Sequence, residues 1–180
     1  MWLTPRAVSE SAIDIHVAET LRVIGRWYSQ TDAAKDGMPP HITLLYPWRP
    51  LPLRDNDLST LRGALAGMHR FFVSFNTVGR FPGVLYLVPA PSIRLRELIL
   101  RLSDAFPDTP PYGGTFGLNP EPHLTVFKAT ESVLDAVERE VRAAIVADPI
   151  TVEIREVTVD AEVAPNRWVP THQVHLSAVS

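Results

Sequence analysis

Two short stretches hold the side chains best suited to chemistry: Pro39-Pro40-His41-Ile42-Thr43-Leu44-Leu45 and Glu121-Pro122-His123-Leu124-Thr125-Val126-Phe127. Each reads proline, histidine, apolar, threonine, apolar, apolar. Side chains alternate along a strand, so His41 and Thr43 face one side while Ile42 and Leu44 face the other, and His123 and Thr125 repeat the arrangement. If the two strands lie side by side, two imidazoles and two hydroxyls converge on a space the size of a phosphate group. An imidazole titrates near pH ~6.5, so one ring can take a proton from an attacking oxygen while the other gives one to the departing oxygen. The threonine hydroxyls can donate to the non-bridging oxygens, where charge gathers. Neither step needs a metal. A single His-x-Thr means little, because such pairs are common on solvated strand faces. The repeat carries the reading, each copy opening an apolar strand behind a proline.

The elements that must position these groups follow from periodicity. Ser11 to Ala18 alternates, with Ile13, Ile15 and Val17 on one face and Asp14 and His16 on the other, which predicts a first strand. Leu21, Ile24 and Tyr28 follow at helical spacing behind Thr20 as N-cap, and Thr31 to Gly37 reads as a polar loop. Two prolines force an extended entry to a strand over His41 to Tyr46, which Pro47 stops. Leu58, Leu61, Leu65 and Met68 mark a second helix. Phe71 to Phe75 and Val84 to Val88 read as strands joined by a turn at Gly79 to Gly83. Pro91 suits the first turn of a helix running to Phe106. Asp108 to Asn119, rich in proline and glycine, is a loop long enough to carry function. Pro122 to Lys128 repeats the first motif strand, and Leu134 to Ile145 forms the helix after it. Parity changes between Ile154 and Val157, which suggests a bulge near Arg155-Glu156, and a last strand places Trp168, His172, Val174, Leu176 and Ala178 on one face. Mixed strands and helices in this order predict an α+β fold with much antiparallel pairing, as one domain over residues 1–180.

Composition narrows the function. Seventeen basic and 20 acidic side chains leave a net charge of −3, which argues against holding long nucleic acid by charge alone and leaves a small nucleotide or an RNA end as substrate. No apolar run reaches the ~18 residues of a membrane span, and Met1 to Arg6 lacks the regions of a signal peptide, so a cytoplasmic protein without membrane partners is expected. The absence of cysteine excludes disulfides, thiolate metal sites and a cysteine nucleophile. No cofactor is implied, and a monomer is the default.

Pro39 to Trp48 and Pro122-His123-Leu124-Thr125-Val126 resemble the two motifs of the two-histidine phosphoesterase superfamily, in particular its 2′-5′ RNA ligase and cyclic phosphodiesterase group. Gly79-Arg80-Phe81-Pro82 with Val84-Leu85-Tyr86-Leu87 resembles the strands that connect them, so the likeness covers nearly the whole chain. It implies a bilobal α+β fold with pseudo-twofold symmetry, largely antiparallel sheets around a central cleft and helices outside. It implies His41, Thr43, His123 and Thr125 as the catalytic set, with His123 as the base and His41 as the acid, roles that the near-symmetry of the site makes interchangeable between substrates. It implies hydrolysis of 2′,3′-cyclic phosphates or 2′-5′ linkages, with RNA-end ligation as the reverse reaction.

Four further residues are candidates for substrate binding. His16 shares a face with Asp14 and could line the cleft or sit at a surface. Lys128, like Tyr46, stands five residues after a motif histidine, so simple alternation turns both away from the site; Tyr46 reads as packing and Lys128 as a surface charge or a phosphate contact from the strand end. Trp168 beside Arg167 could stack a base or pack in the core, and Arg80 could contact a nucleotide or brace a turn. His69, His172 and His175 show no metal-ligand spacing. Two rival functions remain: a module that binds nucleotides or RNA ends without turnover, and a metal hydrolase with His41 and His123 as ligands. The second lacks a nearby Asp, Glu or third histidine at ligand spacing.

Overall fold

The computed structural model describes residues 9–178; Met1 to Arg6, read above for a leader, lies outside the described residues. Alternating β-branched and polar residues place Ser11–His16 in strand β1, with Ile13 and Ile15 buried in the core. A 3-10 turn at Ala18–Thr20 leads into α1 (Leu21–Tyr28). Thr20 is not the side-chain cap expected there: its backbone is already helical and its hydroxyl donates to the Val17 carbonyl at 2.7 Å. The chain continues through α2 (Asp32–Lys35), β2 (His41–Leu45), α3 (Asp55–Leu65), β3 (Phe71–Phe81), β4 (Val84–Ala90), α4 (Ile93–Ala105), β5 (Leu124–Lys128), α5 (Glu131–Ala147), β6 (Thr151–Ile154), β7 (Glu156–Ala164) and β8 (Arg167–His175).

The eight strands form one sheet in the order β6-β3-β4-β5-β2-β1-β7-β8, every neighbouring pair antiparallel. Two equivalent units build its centre. In one, β1 leads through α1 to the first motif strand β2; in the other, β4 leads through α4 to the second, β5, and each motif strand returns beside the strand that began its unit. The units meet where Ile42 pairs with Leu124. This is the α+β, pseudo-twofold, antiparallel architecture expected, with the two lobes drawn from a single continuous sheet.

Three local expectations differ. Thr31 to Gly37 contains the short helix α2, capped by the Thr31 hydroxyl accepting from Ala34 N at 3.2 Å. The segment from Gly79 is not a turn: β3 runs on to Phe81, and only Pro82-Gly83 bends. Arg155 is a crossing point rather than a bulge, since β6 pairs with β3 at one edge of the sheet while β7, one residue later, pairs with β1 and β8 near the other edge. One residue spans only ~3.5 Å, so the sheet must curl until its ends approach. The backbone records this closure, with Leu176 N bonded to the Arg155 carbonyl at 2.8 Å and Arg70 N to the Ser177 carbonyl at 2.9 Å.

Helices cover one face. α1 and α5 pack together over β3, β4 and β5, while α3 packs on α4, which lies on β2. The apolar parity of the central strands, Ile13, Ile15, Ile42, Leu44, Leu124 and Val126, points into this layer and is at most 1% exposed. That leaves Asp14, His16, His41, Thr43, His123 and Thr125 on the concave face. Because the halves meet where Leu124, fully buried in the core, pairs with Ile42, Leu124→Ala should cost about 3 kcal/mol of stability, within the usual range for Leu→Ala in a core, read as a lowered urea midpoint.

Candidate active site

Each histidine is held by the same short device. His41 Nδ1 bonds to the Pro39 carbonyl at 2.8 Å and His123 Nδ1 to the Glu121 carbonyl at 2.9 Å. A carbonyl only accepts, so Nδ1 carries the proton in both rings and Nε2 is the nitrogen left for the cleft. The prolines at 40 and 122 contribute directly, because a proline keeps the preceding residue extended and so aims that residue's carbonyl back at the ring. In an antiparallel ladder, the register Ile42↔Leu124 sets Thr43 across from His123 and His41 across from Thr125. Each imidazole therefore faces the hydroxyl of the other motif.

Matching irregularities bring two more residues to the site. Across β1, Asp14 and Ile13 pair with Thr43 and Leu45, so β2 carries one extra residue; across β4, Tyr86 and Leu85 pair with Thr125 and Phe127, so β5 does the same. Each bulge reverses the alternation. Tyr46 and Lys128 thus return to the concave face instead of pointing away as simple parity required, and both line the cleft. Tyr46 is not interior packing: its hydroxyl donates to Glu10 at 2.5 Å and its ring meets Trp168 edge-on at 6.1 Å. The sequence signal for the bulges is the apolar doublet in each motif, Leu44-Leu45 and Val126-Phe127.

The cleft has two unlike halves, with Lys128 lining both. Beside His41 lies a cavity of about 330 Å³ walled by Asp14, Asp36, Met38, Tyr46 and Trp168. The half-buried Trp168 is therefore a cleft wall rather than a core residue. Beside His123 the space is about 690 Å³ and mostly apolar, walled by Phe81, Val84, Tyr112, Phe116 and Pro120. His123 packs edge-on against Phe81 at 5.1 Å and Tyr86 at 5.4 Å. Tyr112 was not among the residues singled out from sequence. It sits in the 108–119 loop with φ 52°, its amide bonded to the Tyr46 carbonyl at 2.6 Å and its hydroxyl against Thr43.

The other sequence candidates separate. His16 is the cross-strand neighbour of His41, but it stands behind it, bonded through Nε2 to Asp160 at 2.7 Å. Arg80 lines neither half of the cleft. Its guanidinium is taken by Glu138 at 2.6 Å, Asp135 at 2.8 Å and Glu131 at 3.4 Å, all on α5, so it straps β3 to that helix. His69, His172 and His175 likewise line neither half.

Burial lowers the pKa of His41 and of His123, against the upward pull of the carbonyls on Nδ1. At His16 burial also pulls downward, but the Asp160 carboxylate outweighs it and the net shift is upward. His41 and His123 should therefore titrate below 6.5 and His16 above it in histidine NMR. Below 6.5 the unfolded chain binds protons that folded His41 and His123 refuse, so their contribution to stability drops as pH falls through that value. The contribution of His16 has the opposite sign: it is present in acid and fades as pH rises through its raised pKa. A second test concerns Gly79. A β-carbon there would overlap the Tyr86 ring, which stacks on Phe81 at 4.3 Å and walls His123. Gly79→Ala should therefore shift the His123 ring resonances while those of His41 stay in place.

A family model described as the 2′-5′ RNA ligase superfamily matches residues 10–161. Among solved structures, Escherichia coli LigT complexed with 3′-AMP is 20% identical, with 94% of this chain and 98% of that chain covered and a TM-score of 0.56. A crystal structure described as a phosphoesterase is 19% identical over 94% of this chain and 99% of its own, also at 0.56. A conserved protein of unknown function from Agrobacterium tumefaciens is 16% identical over 91% and 84%, at 0.50. No curated protein matches. The structural likeness supports the same curled antiparallel fold, and the family match spans both histidine motifs, so the chain belongs to the 2′-5′ RNA ligase superfamily.

Proposed function

We propose that this protein is a metal-independent phosphodiesterase acting on 2′,3′-cyclic phosphates or 2′-5′ linked nucleotides and RNA ends, with ligation as the reverse reaction. One observation carries the reading: two imidazoles, each locked by a backbone carbonyl on Nδ1, present Nε2 to one cleft opposite a threonine of the other motif. His123 Nε2 takes a proton from water as its oxygen bonds to phosphorus. His41 Nε2–H gives a proton to the ribose oxygen as the P–O bond breaks, and the two rings exchange states over the turnover. Thr43 and Thr125 donate to the non-bridging oxygens, and the Lys128 ammonium, shared by both halves, offsets their charge.

The surroundings support this division of roles. Burial favours the neutral form of both rings, and the Asp160 carboxylate opposes it at His41, the ring cast as the acid. The apolar half beside His123 suits a stacked base through Phe81 and Phe116. That LigT was crystallised with 3′-AMP is consistent with a nucleotide in such a cleft.

The wild type should turn over 2′,3′-cyclic nucleoside monophosphates in excess chelator. His41→Ala and His123→Ala should each lose at least about a hundredfold in kcat, within the range for removing a positioned acid or base. Because the acid must be protonated while its free-state pKa is lowered, kcat/KM should peak on the acid side of 6.5. Turnover that chelator abolishes would contradict the metal-free mechanism. Nucleotide binding without turnover of cyclic or 2′-5′ linked substrates would replace it with the binding-module reading.

A further inference from the structure

Under Thr43 lies a buried acidic pair, Asp14 and Asp160, of which the mechanism above leaves Asp14 unused. Asp14 is 1% exposed and Asp160 is not exposed at all. Both Asp14 oxygens and Asp160 Oδ1 lack a hydrogen-bond partner among the described residues. The two carboxyls differ in one respect. Asp160 Oδ2 has the His16 imidazole beside it, with Nε2 at 2.7 Å, whereas among the described residues no basic group pairs with Asp14. Asp14 is the cross-strand neighbour of Thr43 and lines the His41 half of the cleft.

We propose that Asp14 is a positioning residue that works as a neutral carboxylic acid, donating its hydrogen bond to Thr43 Oγ1 so that the single proton of the Thr43 hydroxyl is directed to the phosphoryl oxygen. The inference rests on the phosphodiesterase reading for its consequence, though the protonation it asserts is independent of substrate. A hydroxyl has one proton to give. An ionised Asp14 could only accept, so it would claim that proton and set a second negative charge beside the phosphate. A protonated Asp14 can instead donate to the Thr43 oxygen. Burial, with the Asp160 charge second, pushes the Asp14 carboxyl well above the carboxylate range, against the smaller pulls of Thr43 and His16. The neighbours that set this balance are His16 on β1, Asp160 and Thr158 on β7, Thr43 and His41 on β2, Tyr28 on α1 and Tyr112 from the loop, with Asp32, Asp36 and Lys128 around the same cavity. Only His16 and Lys128 among them can carry positive charge when His41 is neutral; His16 is paired with Asp160, and Lys128 lines both halves of the cleft.

The test combines difference infrared spectroscopy with kinetics on folded wild type, Asp14→Asn, Asp14→Ala, Thr43→Val and the Asp14→Ala/Thr43→Val double variant. At pH 7 the wild type should show a protonated-carboxyl band that Asp14→Asn removes. Asn donates as a neutral acid does, so Asp14→Asn should keep kcat within about threefold and escape the alkaline decline of the wild type, whereas Asp14→Ala should lose at least about tenfold. In the Thr43→Val background, Asp14→Ala should cost nothing further. Asp14→Asn should also gain stability over wild type as pH rises above the ordinary Asp range, because the folded wild type retains a proton the unfolded chain has released. Absence of the band, a loss in Asp14→Asn equal to that in Asp14→Ala, or an undiminished Asp14 effect in Thr43→Val would each overturn the proposal. If the wild type cleaves no phosphate ester, the phosphodiesterase reading fails by itself. The band and the pH dependence of inorganic phosphate binding, compared between wild type and Asp14→Asn, then decide the role of Asp14.

Discussion

Everything at this site depends on how two strands from separate units meet. A single registered pair, Ile42 with Leu124, fixes both the distance and the relative phase of the motifs. A slip of one residue would turn either histidine into the helix layer, since strand side chains repeat every second residue. The register is held because the opposite parity is already committed: Ile42, Leu44, Leu124 and Val126 are sealed under α1 and α4, and exposing them would cost roughly 1.5–3 kcal/mol each. The catalytic geometry is thus a by-product of core packing on the reverse face. Paired bulges after each threonine then recover Tyr46 and Lys128 for the concave side without disturbing that packing.

The two halves share a backbone design and differ in what surrounds it. His123 is walled by Phe81 and Tyr86, and the latter ring lies across the strand glycine Gly79, where no larger side chain leaves room. His41 is backed by the partly exposed His16 and by Asp160 and Asp14, two carboxyls buried as deeply as the hydrophobic core. A buried polar layer is costly unless its charges and protons are matched. Here the matching is partial, with a hydrogen bond between His16 and Asp160 and a carboxyl at Asp14 that burial favours in the neutral state. The symmetric backbone therefore supplies two interchangeable imidazoles, and the asymmetric surroundings give them unlike electrostatics.

Much of this was legible in the chain itself. Alternation in β1 and the repeated His-x-Thr strands placed the core face, the concave face and the central pairing, because apolar periodicity is enforced along the whole strand. What escaped depended on contacts between distant segments. The change of parity near Arg155 was visible, but that it marks a strand crossing from one edge of the sheet to the other is set by pairing partners. Arg80 read as turn packing ahead of a nucleotide contact, and what it braces, the three carboxylates of α5, emerged only from the fold. Tyr112 lies in a segment without periodicity, and its place against Thr43 follows from a left-handed backbone turn anchored to Tyr46. Asp14 was assigned to the correct face, while its missing counter-ion is a property of the folded neighbourhood alone.

The central claim is that both Nε2 atoms address one phosphate. Long-range proton–nitrogen correlation spectra of histidine-labelled protein, recorded at neutral pH while inorganic phosphate is added, test it most directly. The account requires His41 and His123 to appear as Nδ1–H tautomers in the free protein, and both Nε2 resonances to move together with a single saturation point. A response confined to one ring, two separate saturation points, or an Nε2–H tautomer at either position would show that the two motifs do not form a common site.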